Sequence, residues 1–441
     1  MKKLFISLLL VSLIGASCKQ QASSDKNPFD DAILFAKTVK ELNNVVLQNN
    51  FPPIIASRNY TYAAIAAYEV VALFDSRYTS MAGTITHLPA LPELDTANVN
   101  HQYAALLAYC KVGQAVTFPE GSMNAFVQSL DSMASASGMS DQVKNASEEL
   151  AQKVGAHILD WSKKDNYAET RTAERYQIKL AEEGRWVPTP PAYQQALEPH
   201  WNEIRPMVMD SASQFTPPRP LAYEMKDPNS PFYKEVLAVK NAGDSLTEEQ
   251  KHIAEFWDDL STRMNVTGHV MFVTKKFSPP GHWMNIVGIA AQQAKADFNT
   301  TVFAYAKTAI AMFDAFIQCW DEKFRSNLVR PETVINKHID PEWRPYLQTP
   351  PFPEYTCGHS TVSASAAEVL TSVFGDNFVY TDTSELEFGI KNRSFSSFRA
   401  AALENNWARF YGGIHYHFSC LVSTEYGKKV GELVVNKIKA K

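Results

Sequence analysis

Stretch after stretch of this chain repeats its apolar residues every three to four positions, and no comparable run alternates every second residue between hairpin turns. "DDAILFAKTVKELNNVVLQ", "PIIASRNYTYAAIAAYEVVALF", "GSMNAFVQSLDSMA", "SDQVKNASEELAQKVGAHILDWS" and "SLTEEQKHIAEFWDDL" all read this way. Such spacing lays one apolar stripe along a helix, and the stripe must be covered by a neighbour. In the last stretch Thr247 is followed three residues on by Gln250, the pairing of a capping box. Farther on, residues 298–325 predict one long helix, followed by a proline-rich loop and helices near 360–374, 395–411 and 423–439. The fold class is therefore predicted to be all-α, built of helical bundles in two four-helix-bundle-like halves. The 441 residues are ample to bury such a core.

Between the halves, residues 186–223 are dense in proline and aromatics. Proline removes a backbone donor and clashes with the preceding turn, so this stretch predicts an ordered connection or a boundary between 31–225 and 226–441. No self-similar period of 34 or 40 residues is present, which speaks against a helical repeat array. The net charge of −5 offers no surplus of lysine and arginine for a polyanion, which argues against nucleic acid as a partner.

The chain starts "MKKLFISLLLVSLIGASC". The apolar run from Leu4 to Ile14 is too short for a permanent membrane span and reads as an export signal. Small residues ahead of Cys18 resemble a lipoprotein signal, with Gly15 where a leucine is usual. Residues 1–18 would then be the signal and 19–30 a tether, in an exported protein that is periplasmic or anchored to the outer membrane only by lipid on Cys18. The alternative is a plain secretory signal that is removed together with Cys18. Cys110, Cys319, Cys357 and Cys420 remain; they allow three pairings and show no C-x-x-C spacing, so neither a disulfide nor zinc is predicted.

Three stretches in the C-terminal half carry the chemistry. "WDEKFRSNLVRP" holds Lys323 and, beyond six residues, Arg330. "FPEYTCGHS" holds Gly358 and His359 at the start of a helix, and "ARFYGGIH" holds Arg409 and His415. Two guanidiniums can fork onto anion oxygens, an ammonium adds a point charge, and a glycine N–H can approach without a side chain in the way. A helix starting near His359 aims unpaired N–H groups and its positive dipole end at the same place. Of the two histidines, one can bond the central atom and one can move protons. A phosphate-like anion is the implied guest. Taken singly, each stretch is equally well a solvated charge or a helix end.

Lys-x6-Arg-Pro, then Gly-His, then Arg-x5-His is similar to the signature shared by vanadium-dependent haloperoxidases, type 2 phosphatidic acid phosphatases and bacterial acid phosphatases. It spans about residues 320–420, and the length and helical make-up of the chain resemble the haloperoxidase branch, in particular exported vanadium iodoperoxidases of marine Bacteroidetes. The resemblance implies vanadate as cofactor and hydrogen peroxide and halide as substrates, with iodide favoured and bromide next. His415 would ligate the metal and Lys323, Arg330, Arg409 and the Gly358 N–H would hold the vanadate oxygens. His359 would be the acid/base, and Trp320 and Phe352 would wall the halide side. Asp321 is a candidate support in the turn of Lys323, and Asp258 or Asp259 would buttress Arg409. Two positions differ from the pattern. Cys357 stands where serine is usual, and a thiol is a weaker donor that peroxide can oxidise. Ser419 stands where an aspartate normally orients the metal-binding histidine, so another acceptor must serve His415.

The same pocket also suits an acid phosphatase with His415 as nucleophile. A further reading, a glycan-binding surface lipoprotein, requires Trp186 and Trp201 to be exposed and leaves the three cationic stretches without a role.

Overall fold

A computed structural model describes residues 27–260, 263–267 and 269–441. The leader 1–18, the lipidation site Cys18 and most of the tether lie outside the described residues. The architecture is all-α, as the periodicity predicts. The first half contributes α1 (Ala32–Gln48), α2 (Pro53–Phe74), α3 (His101–Ala115), α4 (Asn124–Ala136), α5 (Asp141–Ser162) and the single turn α6 (Tyr167–Thr170). The second contributes α7 (Pro231–Asp244), α8 (Glu248–Phe256), α9 (Pro279–Ala294), α10 (Phe298–Ser326), α11 (Pro331–His338), α12 (Gly358–Phe374), α13 (Phe398–Tyr411) and α14 (His417–Lys437). Two small antiparallel hairpins interrupt them, β1 (Arg263–Thr267) with β2 (Val270–Thr274) and β3 (Tyr380–Asp382) with β4 (Arg393–Phe395). Strands of three to five residues are too short to give a period-two signal over a usable window, which is why the sequence does not announce them.

Local chemistry sets the helix ends. Thr247 and Gln250 form the expected capping box at α8, and Asp297 caps α10 by accepting from the Thr300 N–H at 2.6 Å. At its other end α10 stops where Asn327 turns left-handed, at φ 50°, and donates its N–H to the Lys323 carbonyl. The apolar length of α10 would suffice to cross a membrane, but that stretch is wholly buried within the protein. It is the central post. The Thr61 hydroxyl of α2 donates to the Ala309 carbonyl of α10 at 3.0 Å, and one hydrophobic cluster includes Tyr60, Phe313, Val369 and Val430 from both halves.

One buried group pins three consecutive backbone amides of the proline-rich connection. Asp314, on α10, accepts the backbone N–H groups of Met207, Val208 and Met209 at 2.6, 2.8 and 3.0 Å. Burial pushes its pKa up to about 6, against the pull of those three donors. Trp186 and Trp201, which the glycan reading needs at the surface, are fully buried.

Helices α12 and α14 approach unusually closely. A Cβ on Gly427 would come within 2.1 Å of the Thr361 carbonyl oxygen, and one on Gly431 within 2.7 Å of the Ser365 carbonyl oxygen, so only glycine allows this contact. The close approach sets the register between the two helices that carry Cys357, His359 and His415 or stand beside them.

Candidate active site

Lys323 lies in the last turn of α10 and Arg330 immediately before α11, while Arg409 lies in the last turn of α13. All three are buried. Lys323 donates to the carbonyls of Pro353 and Glu354 at 2.8 and 3.0 Å. Arg330 donates to the carbonyls of Phe352 and Ile414 at 2.9 and 2.8 Å, and Arg409 to that of Trp257. Burial lowers Lys323 to about 8 and Arg330 to about 10. Such lowering is the cost of holding cations out of water with carbonyl dipoles in place of an anion.

His415 is oriented by a residue that sequence reasoning did not single out. Its Nδ1 lies 2.6 Å from Oε1 of Glu354, which also accepts the Tyr416 N–H at 3.1 Å. With the proton on Nδ1 directed to Glu354, Nε2 presents a lone pair, and Arg330 Nη1 lies 3.0 Å from it. Glu354 is thus the substitute for the carboxylate missing at Ser419, whose own hydroxyl has no partner. The clue was in the sequence, a carboxylate in the otherwise apolar "PFPEYT", but a proline-rich loop gives no periodicity from which to infer its direction.

Cys357 is the N-cap of α12, offers no side-chain cap, and donates its backbone N–H to the Ser423 hydroxyl at 2.7 Å. The helix therefore opens at Gly358 with its first amides uncapped by any side chain. A Cβ on Gly358 would meet Trp320 at an ordinary 3.5 Å, so protein packing alone does not demand glycine there. Trp320 and Phe352 pack against each other with centroids 5.0 Å apart, and the Lys323 ammonium lies 5.7 and 4.8 Å from their rings. A cavity of about 340 Å3 reaches His359, Arg409 and Phe352 between apolar walls that include Pro52, Leu197 and Leu260. Lys323, Arg330 and His415 do not line it and are packed beyond solvent.

Two expected supports lie elsewhere. Asp321 accepts from Asn202 at 3.2 Å and faces Arg325 at 3.5 Å, turned from Lys323 by the one-residue helical step beyond Trp320. Neither Asp258 nor Asp259 forms an ion pair with Arg409. Asp258 faces Lys276 and Arg263, at 3.5 and 3.4 Å. Asp259 is held by His282 at 2.9 Å and turns its other oxygen toward His359 Nε2, at 3.9 Å. On its far side His282 meets Asp382, also at 2.9 Å. Burial works against charge on His282, but the two aspartates outweigh it and raise its pKa well above the usual value. Glu385 closes the cluster, and burial raises its pKa above the usual carboxylate range. The donor atoms of Asp259, His282 and Glu385 lie within 4.8 Å of one another, but both nitrogens of His282 are already spent on carboxylates. Across the cavity wall His359 is the reverse case, since burial and then the Arg409 guanidinium hold its pKa well below normal.

Arg330 Nη2, Arg409 Nε and His359 Nε2 are all buried and without a hydrogen-bond partner in the protein. Buried donors are rarely left so. Two guanidinium donors and an imidazole unpaired near a histidine lone pair fit a tetrahedral oxyanion, which puts the chain in the class of helical proteins with a buried oxyanion cradle.

The comparisons narrow this class. A solved structure described as the first bacterial vanadium-dependent iodoperoxidase matches with a TM-score of 0.87 and 43% sequence identity, over 93% of this chain and 97% of that one. A holo-type bacterial vanadium-dependent chloroperoxidase shares the fold at a TM-score of 0.66 and 17% identity, over 88% of this chain and 93% of that one. The family model of the VCPO second helical-bundle domain matches residues 303–441, and no curated protein sequence matches. The chain belongs to the vanadium-dependent haloperoxidases.

Proposed function

We propose that the protein is a vanadate-dependent haloperoxidase that oxidises halide with hydrogen peroxide to hypohalous acid, with iodide preferred and bromide next. The observation that carries this reading is the set of unpaired buried donors around the oriented lone pair of His415, in a chain 43% identical to an iodoperoxidase. Bound vanadate supplies a Lewis-acid centre for activating peroxide without changing its own oxidation state.

The residues divide that work. Lys323, Arg330, Arg409 and the Gly358 N–H would hold the oxygens, and the amides at the start of α12 add a positive field. His415 would bond the metal through Nε2, and Glu354 fixes that tautomer. His359, kept neutral by burial and Arg409, is prepared to accept a proton from incoming peroxide. Trp320 and Phe352 exclude water beside Lys323. The apolar cavity walls favour a large halide, because the desolvation cost of an ion falls as its radius grows.

An acid phosphatase would use the same cradle, and the decisive test treats both activities together. Phosphate-free protein is loaded with orthovanadate and assayed for iodide oxidation, and the vanadate-free form is assayed for p-nitrophenyl phosphate hydrolysis. Vanadate-dependent iodide oxidation that is absent from His415→Ala supports the peroxidase; phosphatase turnover alone supports the other enzyme. Export with a lipid on Cys18 is part of the same proposal, supported by the leader sequence. Labelling with a fatty-acid probe that is lost in Cys18→Ala would test it.

A further inference from the structure

The mechanism leaves one feature of the cradle without a use. Three of the four described cysteines, Cys319, Cys357 and Cys420, gather at its rim, all fully buried and all free thiols. Cys319 is engaged by one neighbour on both sides, since the Thr356 hydroxyl donates to its sulfur at 3.3 Å and its thiol faces the Thr356 carbonyl at 3.5 Å. Cys357 and Cys420 are instead electrostatic neighbours of each other, and Cys357 also lies beside His415.

Helix register explains that pairing independently. The Cys357 N–H reaches Ser423, 66 positions along the chain. Thr361 meets Gly427 and Ser365 meets Gly431 at the same separation, so α12 and α14 run side by side turn for turn. Cys420 is one turn before Ser423 on α14, which places it against the cap of α12. The two backbones are held together by contacts too close for any residue larger than glycine. A sulfur–sulfur bond across this seam would join side chains on two backbones that the glycine contacts already hold side by side.

We propose that Cys357 and Cys420 are a peroxide-oxidised thiol pair that forms a reversible disulfide beside the cradle. Hydrogen peroxide is the oxidant, and the activity of the family brings it to this pocket. The Cys357 sulfur attacks one peroxide oxygen; the S–O bond forms, the O–O bond breaks, and the departing hydroxide takes the thiol proton to leave as water. The sulfur is oxidised by two electrons to the sulfenic acid. The Cys420 sulfur then attacks the Cys357 sulfur; the S–S bond forms, the S–O bond breaks, and hydroxide leaves with the Cys420 proton as a second water. The disulfide draws the Cys357 sulfur toward α14 and removes a donor from the side of the cradle next to His415. A serine at 357 has no such chemistry, so this device belongs to the cysteine-bearing form of the site.

Mass spectrometry on the full-length protein is the test, with neither vanadate nor halide present. Reduced protein is exposed to graded hydrogen peroxide, alkylated under denaturing conditions and digested. The expected product is a peptide pair linking Cys357 to Cys420, two hydrogens lighter than its parts and split by dithiothreitol, while Cys110 on α3 stays fully alkylated. Cys420→Ser should give no link and instead a sulfenic acid at Cys357 that dimedone traps. Cys420→Ala serves if the serine variant does not fold. Recovery of both thiols unmodified, over-oxidation of wild-type Cys357 without a link, or a link to Cys319 would each overturn the proposal. Because no halide turnover is read, a protein that fails to oxidise iodide can still pass or fail this test.

Discussion

Two buried histidines have opposite surroundings, and the contrast separates the one that offers a lone pair from the one that does not. His415 has one carboxylate, Glu354, and a guanidinium, so one ring nitrogen is fixed and the other offers a lone pair. His282 has a carboxylate on each nitrogen and stacks on Trp257 with centroids 4.7 Å apart, so it is a saturated cation with nothing left to bind. The residue type is the same; the number of acceptors decides between a nitrogen with a lone pair to offer and a strut. Asp259 links the two worlds, since His282 holds it in place while its other oxygen faces His359.

The largest effect should come from breaking the strut. His282→Gln leaves Asp259 and Asp382 buried without their shared cation, which should cost about 3–5 kcal/mol of stability in denaturant unfolding. The pH dependence has a definite sign. A raised histidine pKa contributes stability that is full below about 6.5 and is lost as pH rises through the elevated folded value. Wild type and His282→Gln should therefore converge as pH rises through that value. A variant as stable as wild type at neutral pH would show that the aspartates do not depend on His282.

Next in size is the ligand side. Glu354→Gln should weaken vanadate affinity by about 10–100-fold, the usual effect of removing the carboxylate behind a metal-binding histidine. Titrating activity against orthovanadate reads this directly, and an unchanged midpoint would mean that something else orients His415.

Lys323 gives a smaller, graded effect. Burial lowers it to about 8, so an anion that needs its charge should bind more weakly as pH rises above that point, by up to about tenfold per unit. The difference between wild type and Lys323→Gln in calorimetric phosphate affinity should shrink from neutral to alkaline pH; a constant difference would contradict the role of its charge. Smallest is Cys357→Ser, which replaces a weak donor with a better one and should tighten vanadate binding by about fivefold, on the scale of one hydrogen bond.

The same contrast marks what could be read from the sequence. Helices were legible because their period repeats within one window, and 298–325 became Phe298–Ser326 almost residue for residue. Lys323, Arg330, Gly358, His359, Arg409 and His415 could be singled out because their types and spacings suit an oxyanion even before the chain is folded. Glu354, Asp259, His282 and Asp382 were not, or only vaguely. The His282 to Asp382 bond joins residues 100 positions apart and the Glu354 to His415 bond residues 61 apart, and no local pattern encodes such meetings. Asp321 misled for the related reason that sharing a helical turn with Lys323 does not mean sharing its face.

The proposed vanadate chemistry depends on His415 presenting a carboxylate-oriented nitrogen lone pair to an oxyanion. The most direct measurement is iodide oxidation by hydrogen peroxide as a function of added orthovanadate, for wild type and His415→Ala, beside phosphatase assays of both without vanadate. Wild type should show saturable, vanadate-dependent iodide oxidation and the variant none. Iodide oxidation that survives in His415→Ala, or phosphatase turnover as the sole activity of the wild-type protein, would contradict the proposed chemistry.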